Sequence, residues 1–332
     1  MQISVVIPAY NAAAHLGAAL ASVEAQLQAP AEVIVVDDGS VDATAAIAAK
    51  AGACVIRQAN AGVSAARNAG VRLAQSEWIA FLDADDRWLP AFTQRASAAA
   101  RHCPSVAAIF TDYALDDPDA PCASWFAADR SYRDLRGRRI VPGIRSFAGS
   151  DLALALVHSR SFISTSALIV RRDAFTSCGG FDESLRRAED LELLLRLFAH
   201  APAVAVEEPL SIYRKHASNL TADELACALS ERRVWRAVIA APERYGSELA
   251  RALVDALPAK IRNDGIRALR QGRFGDAVVD LREAARLGDA GAACAGAFAR
   301  AANSRTGRTC YPHARSLLRS FRALLKSRAT SP

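Results

Sequence analysis

Residues 33–40 read Val-Ile-Val-Val-Asp-Asp-Gly-Ser, an apolar β-branched run that ends in an acidic turn. Such a run predicts a buried strand that stops at Asp37. Similar runs, each separated from the next by a helical segment, lie at Ile3–Ile7, Cys54–Ile56 and Trp78–Leu82. Strands that alternate with helices in this way predict a parallel sheet with right-handed crossovers. Ligands of such sheets bind outside the carboxyl ends of the strands, where the acidic clusters of this chain lie.

The remaining segments are patterned less evenly. Asn11 is predicted to cap the helix that follows the first strand. Two polar segments with Pro or Gly, Asp116–Pro121 and Ser131–Pro142, are predicted to form long surface loops. A strand is predicted at Ser166–Val170 and a helix at Leu191–Phe198. Beyond about residue 221 the pattern indicates helices alone.

Composition excludes several classes of protein. The chain has 332 residues, of which 52% are hydrophobic, and a net charge of +6. This charge is too small by itself to indicate a nucleic-acid-binding protein. Seven widely spaced cysteines without a Cys-x-x-Cys pair favour reduced thiols in the cytoplasm. The N-terminus lacks a basic region before its first strand, and no apolar stretch reaches the roughly 20 residues of a membrane span, so we expect neither a signal peptide nor a transmembrane helix.

Two acidic turns follow predicted strands. An acid at Asp37 or Asp38 can accept hydrogen bonds from a ribose or a base. Dinucleotide-binding oxidoreductases also use such an acid, but they need Gly-x-Gly-x-x-Gly after the first strand, and this chain has Pro8-Ala9-Tyr10-Asn11 there. Asp83-Ala84-Asp85-Asp86 places three carboxylates in four residues, which favours a site for Mg²⁺ or Mn²⁺. The alternative is a solvated acidic loop in which Asp86 caps the next helix.

Two further stretches contain candidate functional residues. Asn60–Gly70 is rich in small residues and includes Arg67, whose guanidinium can pair with phosphate. An ordinary alanine-rich helix is the alternative. Glu189-Asp190 opens an apolar helix, where a carboxylate is well placed to act as a general base. Acids at a helix N-terminus are also common as capping residues.

Together these stretches resemble glycosyltransferase family 2, whose members are inverting enzymes with the GT-A fold. The resemblance covers roughly residues 3 to 220. It rests on five motifs in order, Val5-Val6-Ile7-Pro8-Ala9-Tyr10-Asn11, Val35-Val36-Asp37-Asp38-Gly39-Ser40, Asn60-x-Gly62-x-Ser64-x-x-Arg67-Asn68-x-Gly70, Phe81-Leu82-Asp83-Ala84-Asp85-Asp86 and Glu189-Asp190.

The resemblance implies an α/β fold, a Rossmann-type mixed sheet of GT-A type flanked by helices, with a nucleotide-sugar-binding half at 1–100 and an acceptor-binding half at 101–220. The helical pattern beyond residue 221 adds a third region at 221–332, an all-helical C-terminal extension. The resemblance also implies a role for each motif: Pro8, Tyr10, Asp37, Asp38, Arg67 and Asp83 would bind the nucleotide, Asp85 and His216 the metal, and Asp190 would be the catalytic base. His216 fits a surface residue equally well.

The implied reaction moves a sugar from a nucleotide diphosphate donor, a UDP-sugar in most relatives, to a saccharide or lipid-linked acceptor. Asp190 would deprotonate the acceptor hydroxyl, and a cation on Asp85 would offset charge on the departing diphosphate. Two alternatives are a non-catalytic sugar-nucleotide-binding protein of the same fold and a nucleotidyltransferase. The presence of both Asp85 and Asp190 argues against the first, and the lack of a glycine-rich phosphate loop argues against the second.

The C-terminal region carries two further patterns. Small and large residues alternate between about residues 262 and 300, which predicts a helix pair that resembles a tetratricopeptide hairpin. From Arg300 to Pro332 the chain has basic residues and no acid, with Leu and Phe at helical spacing. This segment is interpreted either as a final helix packed on the helical region or as a basic amphipathic helix on the inner face of an anionic membrane.

Overall fold

The computed structural model of the protein describes residues 1–158, 162–216, 219–289 and 292. The strands are β1 Ile3–Ala9, β2 Glu32–Asp37, β3 Cys54–Arg57, β4 Trp78–Phe81, β5 Arg87–Trp88, β6 Ala108–Asp116, β7 Arg138–Val141, β8 Ile144–Phe147, β9 Leu168–Arg171 and β10 Ala203–Arg214. The helices are α1 Leu16–Glu24, α2 Thr44–Lys50, α3 Val63–Leu73, α4 Phe92–His102, α5 Trp125–Ala128, α6 Arg130–Asp134, α7 Gly149–His158, α8 Arg172–Ser177, α9 Glu189–His200, α10 Glu224–Ala240, α11 Pro242–Tyr245, α12 Ser247–Arg270 and α13 Phe274–Arg286.

The ten strands form one mixed sheet in the order β3-β2-β1-β4-β9-β6-β10-β8-β7, with β5 paired to β10. The four predicted strands β1 to β4 are parallel to one another. Strand β9 runs antiparallel between β4 and β6 and thereby joins the two halves of the sheet. The expected mixed sheet flanked by helices is confirmed.

Close packing of helices on the sheet fixes its parallel half. All seven residues of β1 are buried, as expected for a strand covered on both faces. Helix α3 lies directly on β1 at Gly70, where a Cβ would stand 2.4 Å from a methyl of Val6. A glycine at this position allows the helix backbone to approach the strand, so α3 holds Arg67 close to the carboxyl edge of the sheet.

Three local predictions were wrong or shifted. Asn11 does not cap α1, which begins at Leu16; instead Asn11 has a left-handed backbone (φ 48°) and its side chain accepts a hydrogen bond from Val41 N. Ser131–Pro142 is not a long loop, because it contributes to α6 and to the hairpin of β7 and β8. The strand predicted at Ser166–Val170 starts with a 3-10 turn and becomes extended only at Leu168.

The described chain divides into two compact units. The first consists of Met1–Asp223 and Ala241–Leu249 and contains the whole sheet. The second consists of Glu224–Ala240 and the described residues from Ala250 onward, and those residues are helical. Among the described residues, no helix has both the length and the apolar content that crossing a bilayer requires.

The second unit contains a helical turn in the segment where the sequence predicts a helix pair. Helix α12 ends at Arg270, the backbone turns through Gly272 with φ +74°, and α13 follows. A Cβ at Gly265 of α12 would lie 2.8 Å from the Leu281 side chain of α13, and Arg262 of α12 pairs at 2.8 Å with Asp289, just beyond α13, so the two helices fold back on each other. Residues 290–291 and 293–332 lie outside the described residues. The tetratricopeptide likeness and the basic C-terminal helix therefore stay predictions.

Candidate active site

The acidic turn, residues 83–86, follows β4 at the carboxyl edge of the sheet and is held by one buried carboxylate. Asp86 is 1% exposed and accepts hydrogen bonds from Ser166 Oγ at 2.5 Å and from Arg214 N at 2.9 Å. Ser166 Oγ in turn accepts a hydrogen bond from Asp83 N at 3.0 Å. Asp86 thus ties the turn to the end of β10. It does not cap α4, whose N-terminus has no side-chain cap.

Asp85 and His216, the two residues predicted to bind metal, are in contact. His216 Nε2 lies 2.9 Å from Asp85 Oδ2, and Asn219 Nδ2 donates to the same oxygen at 3.2 Å. The His216 ring stacks on His15, with ring centroids 5.0 Å apart and planes 19° apart. Arg214 Nη1 lies 3.1 Å from His15 Nδ1. The start of α1 and the end of β10 therefore both support the position of His216.

The chemistry of these donors suits a hard divalent cation. Magnesium sites in proteins commonly use one or two carboxylates and take their other ligands from phosphate and water. Burial raises the pKa of Asp85, and the adjacent Asp83 carboxylate raises it further, which means that Asp85 lies in a strongly negative environment. Among the described residues, no three His, Cys, Asp or Glu side chains are grouped as a complete metal site.

Arg67 joins the acidic turn to the start of α9. Its guanidinium is 3% exposed and donates to Asp83 at 2.6 Å and to Glu189 at 2.8 Å. Burial would lower the pKa of Arg67, but the two carboxylates raise it above its usual value. No described residue accepts a hydrogen bond from its buried Nε, and the guanidinium lies 5.1 Å from the ring centre of Phe181. The structure thus places Arg67 between carboxylates, whereas the sequence suggested phosphate as its partner.

The first turn of α9 carries Glu189 and Asp190. Ala188 precedes it in a left-handed conformation (φ 61°) and supplies no side-chain cap. Burial and the neighbouring Asp190 raise the pKa of Glu189 to about 6, although Arg67 opposes that shift. Burial also raises the pKa of Asp190, whose carboxylate accepts a hydrogen bond from Leu191 N at 2.7 Å. A carboxylate with a raised pKa is a stronger base than an exposed aspartate, so desolvation compensates for the position of Asp190 at a helix start.

The Gly-Gly loop, residues 179–188, leads into this turn and is fixed from both sides. On one side, the Asn68 side chain of α3 accepts from Phe181 N and donates to Phe181 O, both at 2.9 Å. On the other side, Arg196 of α9 donates to Gly180 O at 2.6 Å. Arg196 is also paired with Glu192, and each of these side chains is only 2% exposed. Helices α3 and α9 therefore both determine where the loop lies.

The remaining predicted nucleotide-binding residues lie at the ends of β1 and β2. Asp38 is buried and accepts hydrogen bonds from Ala61 N at 2.9 Å and Gly62 N at 2.8 Å, so it holds the loop before α3. Asp37 is fully buried and pairs with Arg57 at 2.9 Å. Pro8 is buried within β1, and Tyr10, just after the end of β1, is 54% exposed.

Sequence reasoning missed several side chains that organise the site. Ser166 and Asn219 bond to the acidic turn, and His15 stacks on His216. No local pattern distinguishes these residues, because each acts through a partner more than 70 positions away. Glu189 was a candidate only as a reserve base, and its pairing with Arg67 was not predicted.

Comparison with known proteins shows the family of the chain. Residues 4–175, just over half of the chain, match the family described as glycosyl transferase family 2. Residues 148–258 match a family described as glycosyltransferase like family 2. An uncharacterized glycosyltransferase of Nostoc is 43% identical over 101 residues, which are 29% of this chain and 31% of that protein.

Two solved structures share the fold. S. aureus TarS residues 1–349, in complex with UDP-GlcNAc, matches with a TM-score of 0.63 at 17% identity over 93% of this chain and 90% of that one. The match spans about half, 54%, of the longer TarS chain. A mannosyltransferase from Pyrobaculum calidifontis, in complex with GDP-Man and Mn²⁺, matches with a TM-score of 0.55 at 19% identity over 97% of this chain and 86% of that one. The chain belongs to glycosyltransferase family 2.

Proposed function

We propose that this protein transfers a sugar, with inversion, from a nucleotide diphosphate donor to a hydroxyl group of a saccharide or lipid-linked acceptor. The observation that carries the proposal is the bridge made by Arg67. One guanidinium contacts both Asp83, in the acidic turn, and Glu189, the neighbour of Asp190. A donor bound at the acidic turn would therefore lie beside a carboxylate with a raised pKa, which is the arrangement that direct displacement by an activated hydroxyl requires.

In this proposal residues 1–100 form the donor half and residues 101–220 the acceptor half of the catalytic unit. Asp38 binds the nucleobase together with the loop before α3, which it holds through hydrogen bonds. Asp37 accepts a hydrogen bond from Ser40 N and so stabilises the turn that contains Asp38. Tyr10 is exposed beside Asp38 along the same edge and provides a ring for the base. The TarS complex with UDP-GlcNAc supports UDP-sugars as the first donors to test.

Asp85 and His216 would hold a divalent cation, Mg²⁺ or Mn²⁺, and Asn219 and His15 keep these two side chains in place. Such a cation neutralises the charge that develops on the departing diphosphate. The presence of Mn²⁺ in the Pyrobaculum mannosyltransferase supports this choice of metal.

Asp190 acts as the general base. Its raised pKa favours uptake of the acceptor proton as the hydroxyl attacks the anomeric carbon from the face opposite the nucleotide. Glu189 remains paired with Arg67 and keeps that guanidinium directed at the reaction centre. The negative charge of Asp83 and Glu189 is thereby neutralised next to the base.

The test starts from the donor. The protein is mixed with UDP-, dTDP- and GDP-sugars, with and without Mn²⁺, and its thermal unfolding is followed. A donor present at 100 times its dissociation constant stabilises the folded state by about 2.7 kcal/mol. If no nucleotide sugar stabilises the protein, with or without Mn²⁺, the proposed donor function is wrong.

The base is tested by Asp190→Asn, with Asp182→Asn as a matched acid-to-amide control in the Gly-Gly loop. Release of nucleotide from the identified donor should fall about 10² to 10⁴-fold in Asp190→Asn because proton removal is lost. Donor affinity should not change in either variant. Near-normal turnover in Asp190→Asn would mean that Asp190 is a helix-capping residue and that Glu189 is the next candidate.

A further inference from the structure

Two aromatic rings lie at the carboxyl edge of the sheet, in the acceptor half of the unit. Tyr113 of β6 stacks on Trp125 of α5, with ring centroids 5.6 Å apart and planes 17° apart. In the sheet, Tyr113 pairs with Ser211 of β10. Three residues later β10 reaches Arg214, whose amide bonds to Asp86 of the acidic turn. The aromatic pair therefore lies at the same edge as the candidate active site.

A single carboxylate fixes the position of this pair. Asp112 accepts hydrogen bonds from Tyr113 N at 2.7 Å and from Phe126 N at 2.9 Å. It also accepts one from Ser124 Oγ, the N-cap residue of α5, at 2.5 Å. Phe126 is buried, whereas the adjacent Trp125 is partly exposed. Strand β6 and helix α5 thus hold the Trp125 indole in one place before any ligand arrives.

The polar atoms of the two rings have no partners in the described part of the chain. The Trp125 Nε1 atom is buried without a hydrogen bond. The Tyr113 hydroxyl makes no hydrogen bond to a described residue, although most buried Tyr and Trp polar groups have one. Burial raises the pKa of Tyr113 well above its usual range, and nearby acidic groups, including Asp190, raise it further. The phenol therefore stays protonated and can donate.

We propose that Trp125, held from one side by the stacked ring of Tyr113, forms the platform on which a pyranose ring of the acceptor stacks, with the reactive hydroxyl directed toward Asp190. This inference rests on the proposed transfer function. A pyranose has an apolar C–H face that matches the partly exposed indole ring, and it has hydroxyl groups around its edge, one of which can face the carboxylate of Asp190.

The test uses a panel of methyl pyranosides, with gluco, galacto, manno, rhamno and N-acetylglucosamine configurations. Binding to the full-length protein is measured by saturation-transfer NMR in the presence of UDP and Mn²⁺. At least one glycoside should bind the wild type. Its affinity should fall about tenfold in Trp125→Ala, the scale of one well-placed aromatic contact. Trp125→Phe, which keeps a ring but lacks the N–H, and Tyr113→Phe should each lose less.

Calorimetric titration with UDP shows that each variant is folded, because UDP affinity should not change. The platform is refuted if no glycoside binds the wild type, or if Trp125→Ala binds the best glycoside as tightly as the wild type does. If instead the proposed donor function is wrong, the two measurements would give a different result. The wild type would bind no UDP, while the glycoside affinities would still depend on Trp125.

Discussion

Replacing Arg67 by methionine tests the electrostatic arrangement at the centre of the site. Methionine keeps an unbranched side chain of similar length but removes the cation between Asp83 and Glu189. Glu189 is then left buried with an uncompensated charge next to Asp190. We expect the variant to fold and to be clearly less stable than the wild type near pH 8.

The size of the loss follows from the burial of the partners. Breaking a buried ion pair by removing one partner costs about 3–5 kcal/mol. The Asp83 side chain is 29% exposed, so water screens part of its interaction and the lower end of that range applies. For a unit of this size, about 3 kcal/mol lowers the melting temperature by about 6–12 °C.

The loss of stability in Arg67→Met should depend on pH. Burial already raises the pKa of Glu189 to about 6 from its usual 4.5, and removal of Arg67 raises the pKa further. A carboxyl group whose pKa is higher in the folded state binds protons more readily there than in the unfolded chain. Lower pH therefore favours the folded variant. The difference in stability between the variant and the wild type should be largest well above pH 6 and should shrink as the pH falls to about 6, below which Glu189 is protonated in both folded proteins.

The assay is thermal unfolding at pH 8 and pH 5 of the wild type, Arg67→Met, Glu189→Gln and the double variant. At pH 8 the double variant should be more stable than Arg67→Met, because no buried charge is left at position 189. An Arg67→Met variant that melts within about 2 °C of the wild type at pH 8 would refute the reasoning. The phosphate-binding role suggested by the sequence would then explain Arg67 better.

Three further substitutions test other parts of the structure. Asp85→Asn should abolish the Mn²⁺-dependent part of UDP affinity in calorimetry, and unchanged metal dependence would remove this residue from the cation site. Glu192→Ala should destabilise the protein by about 3–5 kcal/mol in urea denaturation, because it leaves a buried guanidinium uncompensated; a loss below about 1 kcal/mol would contradict this. Gly70→Ala should cost about 1–3 kcal/mol by overpacking, whereas Gly17→Ala, where the added Cβ meets nothing within 4 Å, should not lower the melting temperature. Equal melting temperatures for the two alanine variants would contradict the packing at the first position.

Local patterns were sufficient to predict the first half of the sheet. β-branched runs such as Val33–Val36 favour strands, and the acids that follow such strands lie at the carboxyl edge of a parallel sheet. The acidic turn could also be recognised from the sequence, because neighbouring carboxylates repel one another unless a partner neutralises them. The helix that begins at Glu189 was predicted from its apolar spacing.

Long-range pairing could not be predicted in this way. The insertion of β9 between β4 and β6 depends on partners about 60 and 90 residues distant, and an isolated apolar run such as Leu168–Arg171 carries no information about them. Asn11 resembles a helix cap in sequence, but its side chain bonds to Val41 in a neighbouring turn. The pairing of Arg67 with Asp83 and Glu189 could not be predicted either, because the sequence does not show that two carboxylates fold against it; its role in nucleotide binding stays a prediction.

The contact between α3 and the Gly-Gly loop has a consequence for protein engineering. Asn68 belongs to the first hundred residues, but it holds Phe181, which belongs to the second hundred. Consider a chimera that joins the first hundred residues of this chain to the rest of another family member. Its β4 would pair with the β9 of the other protein only if the two strands kept the same register. The chimera would also need a compatible residue at position 68 to hold the Gly-Gly loop that leads into α9. Recombination libraries for new acceptor specificity should therefore exchange residues 60–70 together with residues 179–190, and leave the crossover at residue 100 unused.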